Sequence, residues 1–164
     1  MKIVFLDIDG PINNPRVNMA GYKYDPINVK IFNKFFKQKD VLVVLASCER
    51  IIYRDAEHAS KGLLKNYHLE FKFHEQWRTG TNYGAGDGQR ARELQEWIDI
   101  NHQEGYEYVS IDDDLVTLPN VTQIKANLNG ISFLNILLLE SLYIEKRKKD
   151  YISQLDWEKK QNFS

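Results

Sequence analysis

Apolar residues along the chain fall into two patterns. Ile3-Val4-Phe5-Leu6, Val41 to Ala46 and Tyr106 to Ile111 are short, nearly continuous apolar runs, which predict strands covered on both faces. Val121 to Lys125 reads as a fourth strand, and Phe71 and Phe73 as a short extended segment. Elsewhere apolar positions recur at helical spacing. Val29, Phe32, Phe35 and Phe36 give one face of a helix that starts at Pro26, with Asp25 as its cap. Ala91, Leu94 and Ile98 mark a helix over 90–100. Further helices are expected over 50–65 and after Gly130, where Ile131 to Ile144 reads as buried and amphipathic. Residues 11–25 and the glycine-rich stretch 79–88 read as loops. The charged tail from Glu145, with Lys146-Arg147-Lys148-Lys149, reads as a solvated helix end.

Strands that alternate with helices predict an α/β protein with a parallel sheet flanked by helices. No linker or internal repeat interrupts the 164 residues, so one domain over 1–164 is expected. Ligands of such sheets sit at the carboxyl ends of the strands. Three of those ends carry polar chemistry: Asp7 and Asp9 after the first strand, Ser47 after the second, and Asp112-Asp113-Asp114 after the third.

Composition narrows the classes. Hydrophobic residues make up 43% and charged residues 27%, as expected of a folded soluble chain. A formal net charge of -1 provides no overall drive toward nucleic acid or an anionic membrane. No apolar run approaches the length needed to span a bilayer, and no signal peptide is read at the N-terminus. Cys48 is the single cysteine, so no intrachain disulfide forms, which suits a reducing cytoplasmic compartment.

Asp7 and Asp9 are two apart at a strand end, where the chain bends and both can face the crevice. Carboxylates held close repel unless a cation lies between them or one is protonated. A hard divalent ion such as Mg²⁺ takes oxygen ligands and keeps substrate phosphate in its shell. Asp112 and Asp113 are placed to complete such a site. Ser47 can donate to a phosphoryl oxygen or simply cap a turn, and Arg50 can reach phosphate or be a surface cation. Arg90, Arg92 and Lys65 compete for the role of a fixed cation near the phosphoryl group. Gly84-Ala85-Gly86-Asp87-Gly88 has neither the Walker nor the dinucleotide spacing. The four histidines, His58, His68, His74 and His102, show no metal-ligand spacing. Cys48 reads as a small residue near a strand end, and Trp77 and Trp97 as core or partly buried.

With these residues in order, the chain resembles the haloacid dehalogenase-like (HAD) phosphatase superfamily. Phe5-Leu6-Asp7-Ile8-Asp9-Gly10 is similar to its first motif, Ser47 to the second, and Ser110-Ile111-Asp112-Asp113 to the fourth. The closer resemblance is to the small HAD domains of Swiss-army-knife RNA-repair proteins and of polynucleotide phosphatases. There a V-L-S-S-S-W-R run resembles Val44-Leu45-Ala46-Ser47-Cys48-Glu49-Arg50, and R-G-x-E-I-x-x-W-L resembles Arg90 to Ile98. That register favours Arg90 as the third-motif cation. Pro11, Ala46 and Glu49 depart from the pattern.

The resemblance implies a Rossmann-like, HAD-like fold and a Mg²⁺-dependent phosphomonoester hydrolase. Asp7 would be the nucleophile that forms an aspartyl-phosphate, and Asp9 the general acid and base. Ser47 and Arg90 would bind phosphate. The metal would be held by Asp7, Asp112 or Asp113, and Asp9 through its backbone carbonyl. About 30 residues separate Asp9 from Val41, and a helix uses over a third of them, so the cap is minimal or absent. An open site suits a large substrate, such as a nucleic-acid end or a phosphoprotein, and a small phosphomonoester such as a nucleotide if an oligomer closes it. The alternative is a catalytically silent HAD-like binding module. A phospho-accepting receiver is disfavoured, because Ser47 stands where its acceptor aspartate belongs.

Overall fold

The computed structural model describes residues 1–80 and 88–126. The expected helix after Gly130, the charged tail and most of the glycine-rich loop lie outside the described residues, so the expectation of one domain over 1–164 also extends past them.

The apolar runs form strands β1 (Lys2–Leu6), β2 (Val41–Leu45) and β4 (Glu107–Asp112), joined by β3 (Phe73–Arg78) and β5 (Val121–Lys125). All pair in parallel, in the order β3-β2-β1-β4-β5. The intervening helices are α1 (Pro15–Met19), α2 (Pro26–Phe36), α3 (Ala56–Tyr67) and α4 (Gln89–Asn101). The chain grows outward from β1 to β2 and β3, then crosses back through α4 to place β4 on the other side of β1. The gap between the carboxyl ends of β1 and β4 is therefore the switch point of a doubly wound sheet, where ligands of such folds bind.

β1 is fully buried, as a central parallel strand must be. Its odd residues face α4: Ile3 and Phe5 pack with Val44, Ala46, Leu94, Trp97 and Tyr108. Phe5 lies edge-on to Trp97 at 5.3 Å and stacks on Tyr108 at 6.0 Å. α2 buries the expected face, Val29, Phe32, Phe35 and Phe36. Asp25 caps it by accepting from the backbone N–H groups of Ile27 at 2.9 Å and Asn28 at 3.2 Å. Trp97 is core, and its indole N–H donates to the Gln76 carbonyl at 3.1 Å. Trp77 is partly buried, with the Arg78 guanidinium 4.9 Å from its ring centre.

Three expectations change in detail. The helix expected over 50–65 is two elements: a 3₁₀ turn at Cys48–Ile51 and then α3. Asp55 causes the restart, because its side chain accepts from the His58 N–H at 2.8 Å and caps a new helix. The loop 11–25 contains the short helix α1, capped by Asn14. Of the extended segment expected at Phe71 and Phe73, Phe73 alone is in a strand: it opens β3, which runs on to Arg78 through a polar His74-Glu75-Gln76 stretch that conceals it. β3 is at the sheet edge, so it carries no continuous apolar run.

No insert large enough for a cap domain occurs among the described residues, and none of their helices is long and apolar enough to cross a membrane. Because Phe5 ties β1 to both α4 and β4, Phe5→Ala is expected to lower stability by about 3–5 kcal/mol. Urea unfolding followed by circular dichroism measures that loss; a change within error of zero would show that this contact does not hold the layers together.

Candidate functional site

The strand register brings the polar ends together. Leu6 lies opposite Leu45 on one side and Ile111 on the other. The ladders continue one step further: the Asp7 N–H donates to the Ile111 carbonyl at 2.9 Å, and the Ala46 N–H to the Leu6 carbonyl at 2.9 Å. Asp7, Ala46-Ser47 and Asp112 thus share one edge of the sheet. After Asp7 the chain folds back on itself. The N–H groups of Ile12 and Asn13 both donate to the Ile8 carbonyl, at 3.0 and 2.9 Å, and the Gly10 N–H to the Asn13 carbonyl at 2.7 Å. Gly10 adopts φ +89°, and a Cβ there would lie 2.5 Å from Asp113 Cγ. Only glycine lets this turn approach the loop after β4 so closely. α2 pins the same turn, because Asn28 Nδ2 donates to the Pro11 carbonyl at 3.0 Å.

Asp7, Asp112 and Asp113 each offer a carboxylate oxygen within 4.8 Å of the others. Asp7 and Asp112 are buried, whereas Asp113 is exposed. Burial, with Asp112 close by, raises the Asp7 carboxyl well above the ordinary carboxylate range. Burial likewise pushes Asp112 up to about 6, against the opposing pull of Arg90 and of the Asp114 N–H, which donates to Asp112 Oδ1 at 2.9 Å. Asp113, though exposed, is also raised, first by partial desolvation and then by the charges of Asp114 and Asp9. Three hard oxygen donors that resist holding charge together fit a divalent cation such as Mg²⁺. The Asp9 side chain is outside this cluster: it is exposed and accepts from Asn13 Nδ2 at 3.0 Å.

One cation faces the acids. Arg90, in the first turn of α4, places Nε 2.8 Å from Asp112 Oδ2 and Nη2 3.6 Å from Asp7 Oδ1. The Nε contact is an ion pair with its N–H not aimed at the carboxylate, so that group keeps no aligned acceptor among the described residues. Nη1 pairs with Glu93 Oε2 at 3.0 Å and donates to the Ala46 carbonyl. Burial opposes the Arg90 charge, but Asp112, Asp7 and Glu93 outweigh it and raise its pKa. Arg92 and Lys65, the competing candidates, are exposed.

Arg50 is a buried brace. Its guanidinium donates to the carbonyls of Ser47 at 2.7 Å, Ala46 at 3.2 Å and Gly80 at 2.9 Å, and pairs with Glu93 Oε1 at 3.0 Å. Ser47 is fully buried, and its Oγ accepts from the Glu49 N–H at 3.3 Å, capping the 3₁₀ turn. Cys48 is exposed.

Sequence reasoning missed Glu93 and Thr79. Glu93 is buried between Arg50 and Arg90 and accepts from the Thr79 hydroxyl. The available signal was the Arg90/Glu93 spacing, which places both on one helix face. It also missed the clasp around Glu49, whose carboxylate accepts from the Tyr53 hydroxyl at 3.2 Å and from the Tyr67 hydroxyl.

Because the folded protein holds the Asp112 proton more tightly than an unfolded chain does, this group favours the fold at low pH and disfavours it as pH rises through about 6. With chelator present, the Tm difference of Asp112→Asn minus wild type is therefore expected to grow from pH 5 to pH 7.5. A difference that stays constant or shrinks would contradict the raised pKa. Added Mg²⁺ is expected to raise the wild-type Tm at pH 7.5 more than that of the variant.

No curated protein and no solved structure gives a significant match to the chain. The family model for the HAD domain in Swiss Army Knife RNA repair proteins matches residues 3–128. These residues include both acidic strand ends, the arginine that faces them and the sheet that aligns them, and the chain belongs to that family of HAD domains.

Proposed function

We propose that the chain is a Mg²⁺-dependent phosphatase that hydrolyses a phosphomonoester through an aspartyl-phosphate on Asp7. The observation that carries this reading is the Asp7/Asp112/Asp113 cluster faced by Arg90 at the switch point of the sheet. Mg²⁺ held by Asp7, Asp112 and Asp113, with the Asp9 backbone carbonyl, would neutralise charge on the phosphate and on the acids.

Asp7 is a nucleophile only as a carboxylate, and burial works against that form. Arg90 favours it by its positive charge. An Asp7 oxygen attacks phosphorus, the phosphorus–oxygen bond to the leaving group breaks, and Asp9 donates a proton to the departing oxygen. Asp9 is exposed and on a turn, so it can reach a leaving group in solvent. Asp9 then takes a proton from water as that water attacks the phosphorus of the acyl phosphate, which frees phosphate and restores Asp7. Arg90, whose Nη2 is 3.6 Å from Asp7 Oδ1, would stabilise the equatorial oxygens through the transition state. Ser47 would join it by donating its O–H, because the cap it makes uses Oγ only as an acceptor.

The absence of a cap among the described residues leaves the site open to a large substrate, and the family's occurrence in RNA repair proteins favours a nucleic-acid end or a nucleotide. A silent binding module is the competing reading, because Arg90 already pairs with both buried acids.

Phosphate release from an aryl phosphate with and without Mg²⁺ tests this. Asp7→Asn is expected to lower kcat at least about a thousand-fold, and Asp9→Asn about a hundred- to ten-thousand-fold. Full activity in Asp7→Asn would refute the covalent route. No release from any phosphoester, 3′- and 5′-phosphorylated oligonucleotides included, would favour the silent module.

A further inference from the structure

A groove of about 530 Å³ lies outside the acidic site, along α2 and the end of α3. Lys30 and Lys34, one turn apart on α2, and Lys37, its C-cap, line it at helical spacing. Their axial separations are about 6 and 4.5 Å from the helical rise, which makes a row of positive charge at intervals of roughly one turn. All three are exposed. Among the described residues Glu70 is the acidic residue lining the groove, and Lys37 pairs with it at 3.1 Å. Lys30 and Lys34 are exposed and form no ion pair among the described residues.

The groove also carries rings. Tyr24, half-buried, meets the exposed His68 ring at 5.4 Å between centroids and 59° between planes. Asn33 fixes the His68 segment to α2, since its Nδ2 donates to the His68 carbonyl at 2.7 Å and its Oδ1 accepts from the Glu70 N–H at 2.9 Å. The lysines and the Tyr24/His68 pair therefore line one groove, with Asn33 fixing part of its wall. One end of α2 is anchored to the catalytic turn, where Asn28 holds the Pro11 carbonyl and the Asp25 N–H donates to the Ile12 carbonyl at 2.9 Å.

We propose that this groove binds the single strand behind the phosphorylated end, with Lys30 and Lys34 on backbone phosphates and the Tyr24/His68 pair against a base. Regular cations track a polyanion, and an aromatic face accepts any base, so the site is tolerant of sequence. This explains how a chain of formal net charge -1 can hold nucleic acid: the charge is local to one helix face. The proposal deepens the phosphatase reading and rests on it for the direction of the strand. Binding itself does not depend on turnover.

The test is fluorescence-anisotropy titration of a labelled single-stranded RNA lacking terminal phosphate, at several salt concentrations. Wild type is compared with Lys30→Ala/Lys34→Ala and with Tyr24→Ala, each checked for folding by circular dichroism. The lysine variant is expected to bind more weakly, with the slope of log K against log salt reduced by about 1.4, roughly 0.7 per lost phosphate contact. Tyr24→Ala is expected to bind at least about five-fold more weakly without a change in slope. Unchanged affinity and slope in a folded lysine variant would overturn the proposal. Equal binding of polyglutamate, lost in the same variant, would also overturn it by assigning the lysines to an acidic protein partner. An inactive wild type that still shows lysine-dependent RNA binding would sink the phosphatase reading and leave the groove. An active phosphatase whose RNA affinity ignores Lys30 and Lys34 would do the reverse.

Discussion

Asp7 and Asp112 are buried beside one another at the ends of two neighbouring parallel strands, and most of the site answers to that constraint. Water no longer screens the two carboxylates, so both hold protons more tightly than ordinary acids. A protein keeps such a pair only if the fold over-determines its geometry and something positive faces it. Here the strand ladder supplies the geometry and Arg90 supplies the charge. Among the described residues one guanidinium stands opposite three clustered aspartates, so the donor set could hold a metal ion.

Arg90 is held rather than free. Glu93, one turn along α4, pairs with it and with Arg50, and Arg50 in turn binds the carbonyls that follow β2. Thr79, at the end of β3, reaches the same carboxylate. A single buried acid therefore ties the ends of β2 and β3 to the helix that presents the cation. Removing it would leave two arginines without their shared partner, a far larger disturbance than losing a surface ion pair.

Much of this was legible in the sequence because central strands and helix faces have clear patterns. β1, β2 and β4 announce themselves as apolar runs that end in Asp7, Ser47 and Asp112, and that order alone places the site. The HAD resemblance and the α/β parallel sheet agree with the structure and with the family match. β3 was partly hidden because an edge strand carries polar residues. The restart at Asp55 was hidden because capping breaks a helix without breaking its apolar period. Glu93 and Arg50 were illegible as a pair: 43 positions separate them, from 50 to 93, and only the fold brings them into contact. Ser47 shows the opposite limit. Its position was readable, but the local cap in which its Oγ accepts from the Glu49 N–H stood only as one of two readings.

The central claim is that Asp7 carries the phosphoryl group. Rapid quench of the enzyme during turnover of a phosphomonoester with Mg²⁺, followed by borohydride reduction and peptide mass spectrometry, reads this directly. An acyl phosphate on Asp7 is reduced to an alcohol, so the account predicts homoserine at position 7 and nowhere else. Turnover with position 7 unmodified, or with the label on another residue, would contradict it.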